Sequence, residues 1–453
     1  MSVSKKYLSI QPNNVPSTGK VSFARGNPIL TITLGRQDGM LDLSSLRLAG
    51  KLNVWRDAAG TLPPTDAAAT ELRASHKLGI YGVMDQLVFR HAETKQVIEH
   101  IRHYGRFMSS YLPVMAGSQD VAGHLSETAL IYPNYQSFRD SVIRRSADGV
   151  TTPNEFCVPL PSGLTLGESM LPLSKVPLEI EIHLAPDSQF FYSSDGTTGN
   201  IANAFYELSD LEVACEVSYG EQSPDKGLLS FNSITSYFST LETTNSIINF
   251  NLGLSKVLAS FVNFVPSSFV NNLAQDGYLT YMPSFLVSGA AAPGADPPQP
   301  AGHLGGDIAN IETISFLRNG ERFPSAFEVE SVRSATNETP VVDSQIIKTF
   351  LSSIIPEKMH TRTTASPLNT NRNFTVNNNL TTGYRFMPDT GGLYGVGVLY
   401  DQLDSEGVDF SNSQFSIQMT TGLTDGNPIS AYLFIKSKVV VAWDAQMGVQ
   451  VIQ

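Results

Sequence analysis

Apolar and polar residues alternate with a period of two along several stretches of this chain. Leu46, Leu48, Gly50, Leu52 and Val54 take turns with Arg47, Ala49, Lys51, Asn53 and Trp55, the pattern of a strand that buries one face and wets the other. Ile248, Phe250, Leu252 and Leu254 alternate likewise, as do Leu178 to Leu184, Leu211 to Val217 and Tyr432 to Trp443. Helical spacing is sparse. Asp343 is placed to cap a segment in which Ile346, Ile347, Phe350, Leu351 and Ile354 recur at helical spacing before Pro356, with its counterpart in Val121 to Phe138, interrupted at Pro133. The pattern predicts an all-β chain with short helices in the loops between strands.

Four stretches recur in the same order in the second half. Asn27 to Gly35 is answered by Asn245 to Gly253 at an offset of 218, Leu48 to Val54 by Leu258 to Phe264 at 210, Leu87 to Phe89 by Ile314 to Phe316 at 227, and Val213 to Glu216 by Val441 to Asp444 at 228. Each match alone is no more than two strands sharing β-propensity. Their common order and similar offsets mark two copies of one β-domain, at a period too long for a solenoid. The expected organisation is an N-terminal extension over 1–20, a first β-sandwich over 21–220 and a second over 228–453. Tyr219 to Gly227, polar and rich in turn formers, is the expected hinge, too short for independent domain motion. Ser288 to Pro300 is rich in Gly, Ala and Pro and cannot bury a core. An insertion of about residues 288–306 in an exposed loop accounts for the offset growing from 210 to 227.

A chain of 453 residues holds two or three domains with full cores and needs no disulfide or metal staple. Charged residues are only 16% of it, and Gly, Pro, Ser, Thr and Asn fill the gaps between apolar runs, as in short strands joined by elaborate loops. The formal net charge of −12 argues against a surface built to neutralise phosphate, so no sequence-specific nucleic-acid binding is expected. Cys157 and Cys215 lie in apolar segments outside any metal or redox motif; two buried, reduced thiols and a reducing compartment are expected. Met1 to Lys6 lacks the apolar core of a signal peptide. Val257 to Gln275 carries no charge, but Asn263, Pro266, Asn271 and Asn272 break it into a strand and a loop, so no transmembrane segment is expected.

Candidate chemistry is thin. His91, His100 and His103 flank a strand and a turn but lack a completing ligand, and are expected in surface or loop positions. Asp401, Asp404, Glu406 and Asp409 depart from the EF-hand spacing and are expected to form a solvated turn. No nucleophile elbow, phosphate-binding loop, HExxH or dinucleotide fingerprint occurs. Paired carboxylates for glycoside hydrolysis stay open, because their separation is spatial. The sequons at Asn337, Asn373 and Asn379 are expected to be chance in a chain rich in Asn and Thr. No catalytic, cofactor or metal site is expected.

Several segments together resemble the double jelly-roll major capsid proteins of icosahedral DNA viruses, those of virophages and polinton-like viruses above all. Gln86 to Phe89, a turn, then Val97 to Phe107 resembles a strand pair leading into that family's tyrosine-containing helix. Phe156 to Pro161, Leu171 to Leu173 and Pro177 to Ile182 resemble the Pro/Leu-rich run before its next core strand. Phe316 to Pro324 is similar to its Gly-x-x-x-Pro turn, and Gly407 to Met419 to a late strand pair. The resemblance implies two tandem jelly-roll β-sandwiches and a structural role without catalysis. It implies a homotrimer forming a pseudo-hexagonal capsomer of an icosahedral virion shell around a DNA genome, assembled inside the host cell. Its partners would be neighbouring capsomers, penton and minor capsid proteins; contact with an inner membrane stays open. Intratrimer surfaces would be broad and largely apolar, on the order of 2,000 Å² or more, and contacts between capsomers weaker and more polar. The rival reading is a two-domain β-sandwich that binds carbohydrate or hydrolyses glycosides. Trp55 and Trp443, the two tryptophans, both fall in expected strands and support a sugar platform poorly.

Overall fold

The computed structural model describes residues 4–61, 72–75, 78–115, 124–132, 138, 141–142, 154–167, 169–193, 201–220, 224–241, 246–274, 277–278, 311–325, 329–330, 352–354, 396–400, 407–421, 428–444 and 448–452. The first half carries β1 (Ser4–Ile10), β2 (Lys20–Val21), β3 (Ile29–Leu34), β4 (Met40–Trp55), β5 (Leu72–Ala74), β6 (Met84–His91), β7 (Val97–Ile101), β8 (Asn154–Pro159), β9 (Met170–Pro172), β10 (Leu178–Leu184), β11 (Phe191–Ser193) and β12 (Phe205–Tyr219). The second carries β13 (Lys226–Leu241), β14 (Ser246–Asn251), β15 (Val257–Pro266), β16 (Ile311–Arg318), β17 (Glu321–Arg322), β18 (Val329–Glu330), β19 (Val396–Leu399), β20 (Gln414–Thr421), β21 (Ile429–Asp444) and β22 (Gly448–Ile452). One helix, α1 (Tyr104–Met115), follows β7.

Each half builds two facing sheets. In the first they run β1-β12-β4-β8 and β3-β10-β6-β7; in the second, β13-β21-β15-β19 and β14-β20-β16-β17. Leaving aside the short flanking strands, the first strand of each half lies beside the last, the last beside the third and the third beside the sixth. In the other sheet the second lies beside the seventh, the seventh beside the fourth and the fourth beside the fifth. That order, repeated strand for strand, is a jelly roll built twice. The recurrent sequence stretches occupy equivalent strands: β3 and β14, β4 and β15, β6 and β16, β12 and β21.

Alternation sets which side chains fill the cores. Leu46, Leu48, Leu52 and Val54 of β4 are buried against Ile32, Phe89, Ile180 and Val213. Ile248, Phe250, Leu252 and Leu254 are buried in a second cluster with Phe264, Phe316, Ile417 and Leu433. The first cluster does not stop at the boundary between halves, because Phe231, Ile234, Phe261, Phe434 and Val441 belong to it. Asn319 and Gly320, both at positive φ, turn β16 tightly into β17.

Three expectations need correction or narrowing. Residues 4–10, placed by sequence in an N-terminal extension, form β1 at the edge of the first sheet, paired with β12 from Ser4↔Tyr219 to Ile10↔Val213. Most of β1 is exposed, and only Leu8 and Ile10 pack against the core, so backbone pairing and the Lys5–Glu216 ion pair at 2.5 Å help to hold a strand whose apolar alternation is too short to announce it. Cys215 is buried as expected, but Cys157 is exposed, because β8 turns Phe156 and Val158 inward and its odd positions out. Of the segment Val121 to Phe138, His124–Thr128 is a described helix; of Asp343 to Pro356, the described residues 352–354 are helical. Ser288 to Pro300 lies outside the described residues. Val257 to Gln275 resolves into β15 and the short turn Ser267–Phe269, and among the described residues no helix is long and apolar enough to cross a membrane.

Candidate assembly surfaces

The junction between the halves is built by α1. Tyr104, Phe107, Met108 and Tyr111 fall three and four apart, so one stripe of the helix is apolar, and all four are buried. Phe107 packs on Phe261 of β15 and Phe434 of β21, with ring centroids 6.4 and 5.9 Å apart, while those two rings stack on each other at 5.2 Å. Arg106 lies 4.3 Å over the Tyr432 ring and 5.6 Å from that of Tyr278, two cation–π contacts inside the junction. Asn263 of β15 donates to Ser110 of the helix. Strands β15 and β21 therefore bury both faces, one in their own jelly-roll core and the other beneath α1.

A single carboxylate ties the same junction from the side. Glu99 of β7, only 1% exposed, accepts backbone N–H bonds from Gly163 at 3.0 Å and Leu164 at 2.9 Å in the loop after β8, and from Ile234 of β13 at 2.8 Å. Burial pushes the Glu99 carboxyl above its usual range, opposed by those three N–H groups and Ser162. Gly163 is required there: a β-carbon would sit 2.0 Å from the Asn232 carbonyl oxygen. No sequence spacing marks Glu99, whose partners lie 64, 65 and 135 residues away.

The outward faces of the two halves differ. On the first, Tyr7 of β1 is 81% exposed, and Lys51 of β4 bridges Asp210 at 2.9 Å and Glu155 of β8 at 3.7 Å. On the second, Leu228 and Ile452 are exposed beside a shallow groove of about 320 Å³ lined by Lys226, Leu228, Ala442, Trp443 and Gln450.

The histidines are not gathered round a common centre. His91 is buried and accepts from the Thr94 N–H at 3.0 Å, His100 meets Gln86 at 2.9 Å, and His103 sits edge-on to Tyr432 with centroids 5.0 Å apart. Burial lowers the pKa of all three. Asp409 accepts from the Ser411 N–H and hydroxyl at 2.8 and 2.6 Å, bonds that hold its carboxyl below the usual range. Asp401, Asp404, Glu406 and the three sequons lie outside the described residues. Among the described residues no three or more His, Cys, Asp or Glu side chains are grouped to hold a metal ion. Trp443 is buried under Gly227 and donates to the Pro224 carbonyl at 3.1 Å, and Trp55 ends β4 half-buried.

No family model matches the sequence, and no curated protein does. Solved structures match along its whole length. The PBCV-1 virus capsid is similar at 12% identity and a TM-score of 0.53, over 100% of this chain and 97% of that one. The Sputnik virophage is similar at 11% and 0.52, over 99% and 88%, and the Faustovirus major capsid protein at 8% and 0.53, over 97% and 90%. This chain has the double jelly-roll fold of viral major capsid proteins. The two equivalent halves, joined through one apolar junction, are what that likeness spans.

Proposed function

We propose that this chain is a major capsid protein, a structural subunit of an icosahedral virion shell. The observation that carries the reading is the repeated jelly-roll order in both halves, welded by α1 and Glu99 and matching capsid subunits end to end. In this reading β1 to β12 and β13 to β22 are the two jelly rolls, three copies form a pseudo-hexagonal capsomer, and capsomers tile a shell around a DNA genome with penton and minor proteins. Duplication matters physically: two unequal copies per chain give a block with six lobes and threefold chemistry. Assembly is the activity, and no reaction is assigned to the chain.

Multi-angle light scattering on the purified chain tests the subunit count. A trimer of about 150 kDa, three times 49.2 kDa, is expected, as closed cyclic symmetry favours. A monomer that persists at micromolar concentration overturns the reading.

A further inference from the structure

We infer that the open edge of β14 in the second jelly roll is a docking site for an extended, uncharged, asparagine-bearing segment of another protein, which adds to the sheet as a further strand. The inference rests on the equivalence of the two halves and goes beyond the capsid reading.

The first half closes the same edge from within one chain. Strand β3 is the outermost of its sheet, and the chain between β1 and β3 runs along its free side. The Asn13 N–H donates to the Thr31 carbonyl at 2.7 Å. The Asn14 side chain donates to the Ile29 carbonyl at 2.6 Å and accepts from the Thr31 N–H at 2.9 Å, and that of Asn13 donates to the Thr33 hydroxyl at 2.7 Å. One asparagine amide thus stands in for the backbone of a neighbouring strand, and the Ile29 carbonyl and both backbone groups of Thr31 have partners.

Strand β14 holds the equivalent place in the second half, and at the offset of 218 residues Ile29 and Thr31 correspond to Ile247 and Asn249. The registers agree: Leu30 and Ile32 pair with Ile182 and Ile180 of β10, as Ile248 and Phe250 pair with Ile417 and Phe415 of β20. Among the described residues, nothing bonds the free side of β14. Only residues 242–245 lie between β13 and β14, against 11–28 between β1 and β3, so the connection that closes β3 has no counterpart here. Ile247 is 52% exposed.

Exposed edges are ordinarily guarded by charge, proline or a bulge. Strand β1, at the open edge of the other first-half sheet, carries Lys5 and Lys6. Strand β14 reads Ser-Ile-Ile-Asn-Phe-Asn and pairs with β20 without a register shift, so it has none of these guards. Its neighbour is equally neutral: β20 carries Gln414, Ser416 and Gln418 where β10 carries Glu179, Glu181 and His183. A neutral strand matches this edge, with an asparagine amide bonded to the Ile247 carbonyl and Asn249 N–H, a backbone N–H to the Asn249 carbonyl, and an apolar side chain over Ile247. Main-chain bonds give such a contact its affinity and alternate side chains its specificity. A second copy cannot supply its own Asn13 and Asn14, which are already bonded to β3.

The test uses the full chain and, as probe, a synthetic peptide of residues 11–17, Gln-Pro-Asn-Asn-Val-Pro-Ser, which copies the segment that closes β3. Amide hydrogen exchange across residues 247–251, followed by mass spectrometry, should slow about tenfold at saturating peptide. It should not change with a peptide that carries alanine in place of both asparagines. Ile247→Lys adds a charge at an exposed position and should abolish the protection while melting temperature and oligomeric state stay as in the wild type. Asn249→Pro removes the outward N–H at an edge where proline is tolerated, and should abolish it too. Exchange that the peptide leaves unchanged, or that the alanine peptide slows equally, overturns the inference. Loss of oligomer on Ile247→Lys also overturns it, because the occupant is then a second copy. Each of these results leaves the capsid reading standing.

Discussion

The carboxylate of Glu99 holds the backbone N–H of Ile234 at 2.8 Å, across 135 residues of sequence and from one jelly roll to the other. The same group accepts from Gly163 and Leu164, so one side chain fixes an edge strand of the second half against a strand and a loop of the first. Buried N–H groups require acceptors. Here the acceptor is shared between two domains, which makes their relative placement part of the folded state.

Glu99→Ala should cost about 3 kcal/mol or more, because it strands three buried N–H groups, each worth roughly 1–3 kcal/mol. Glu99→Gln should cost less, since its amide oxygen still accepts. The pH response separates the two roles of the group. A folded pKa raised by burial means that the folded chain holds this proton more tightly than the unfolded one. Its contribution is full below the usual glutamate range and is lost as pH rises through the raised value. Chemical denaturation of wild type and Glu99→Gln across that range should show the loss in the former alone.

Phe107→Ala should destabilise the chain by about 3–5 kcal/mol, the usual cost of emptying a buried aromatic site. Its ring is fully buried between Phe261, Phe434 and Tyr111. Because the cavity opens at the junction, the unfolding curve should also broaden or split as the halves lose their coupling. A calorimetric scan with an unchanged single transition would show that α1 does not couple them.

His100 should make the protein acid-sensitive. Burial first, then the positive charge of Arg102, lowers its pKa to about 4. With the folded pKa below the unfolded one, its contribution is present above the usual histidine range and is lost as pH falls toward about 4. Melting temperature against pH should fall over that window, and His100→Gln should flatten part of the fall. Identical curves would remove His100 from the acid response.

Much of the fold was legible where strands bury one face each. Leu48 to Val54 and Ile248 to Leu254 announce β4 and β14 by alternation, and the equivalence of β4 and β15 follows from order along the chain. The β1 strand was not legible, since Tyr7 faces solvent and Lys5 gains its partner only when Glu216 is brought beside it. The exposure of Cys157 follows from the same alternation, because Phe156 and Val158 set the inward phase of β8. Glu99 was beyond it, because a carboxylate in an apolar strand becomes meaningful only once a loop and a distant strand supply its donors. The junction face of β15 was hidden for the opposite reason. Phe261 and Asn263 occupy positions that alternation assigns to solvent, and a helix from the other half covers them.

The central claim is that this chain is a shell-forming subunit, and electron microscopy of the purified protein tests it most directly. Averaged images should show a compact block of six lobes with threefold symmetry, two lobes for each chain of the trimer. Isolated two-lobed particles at every concentration would contradict it.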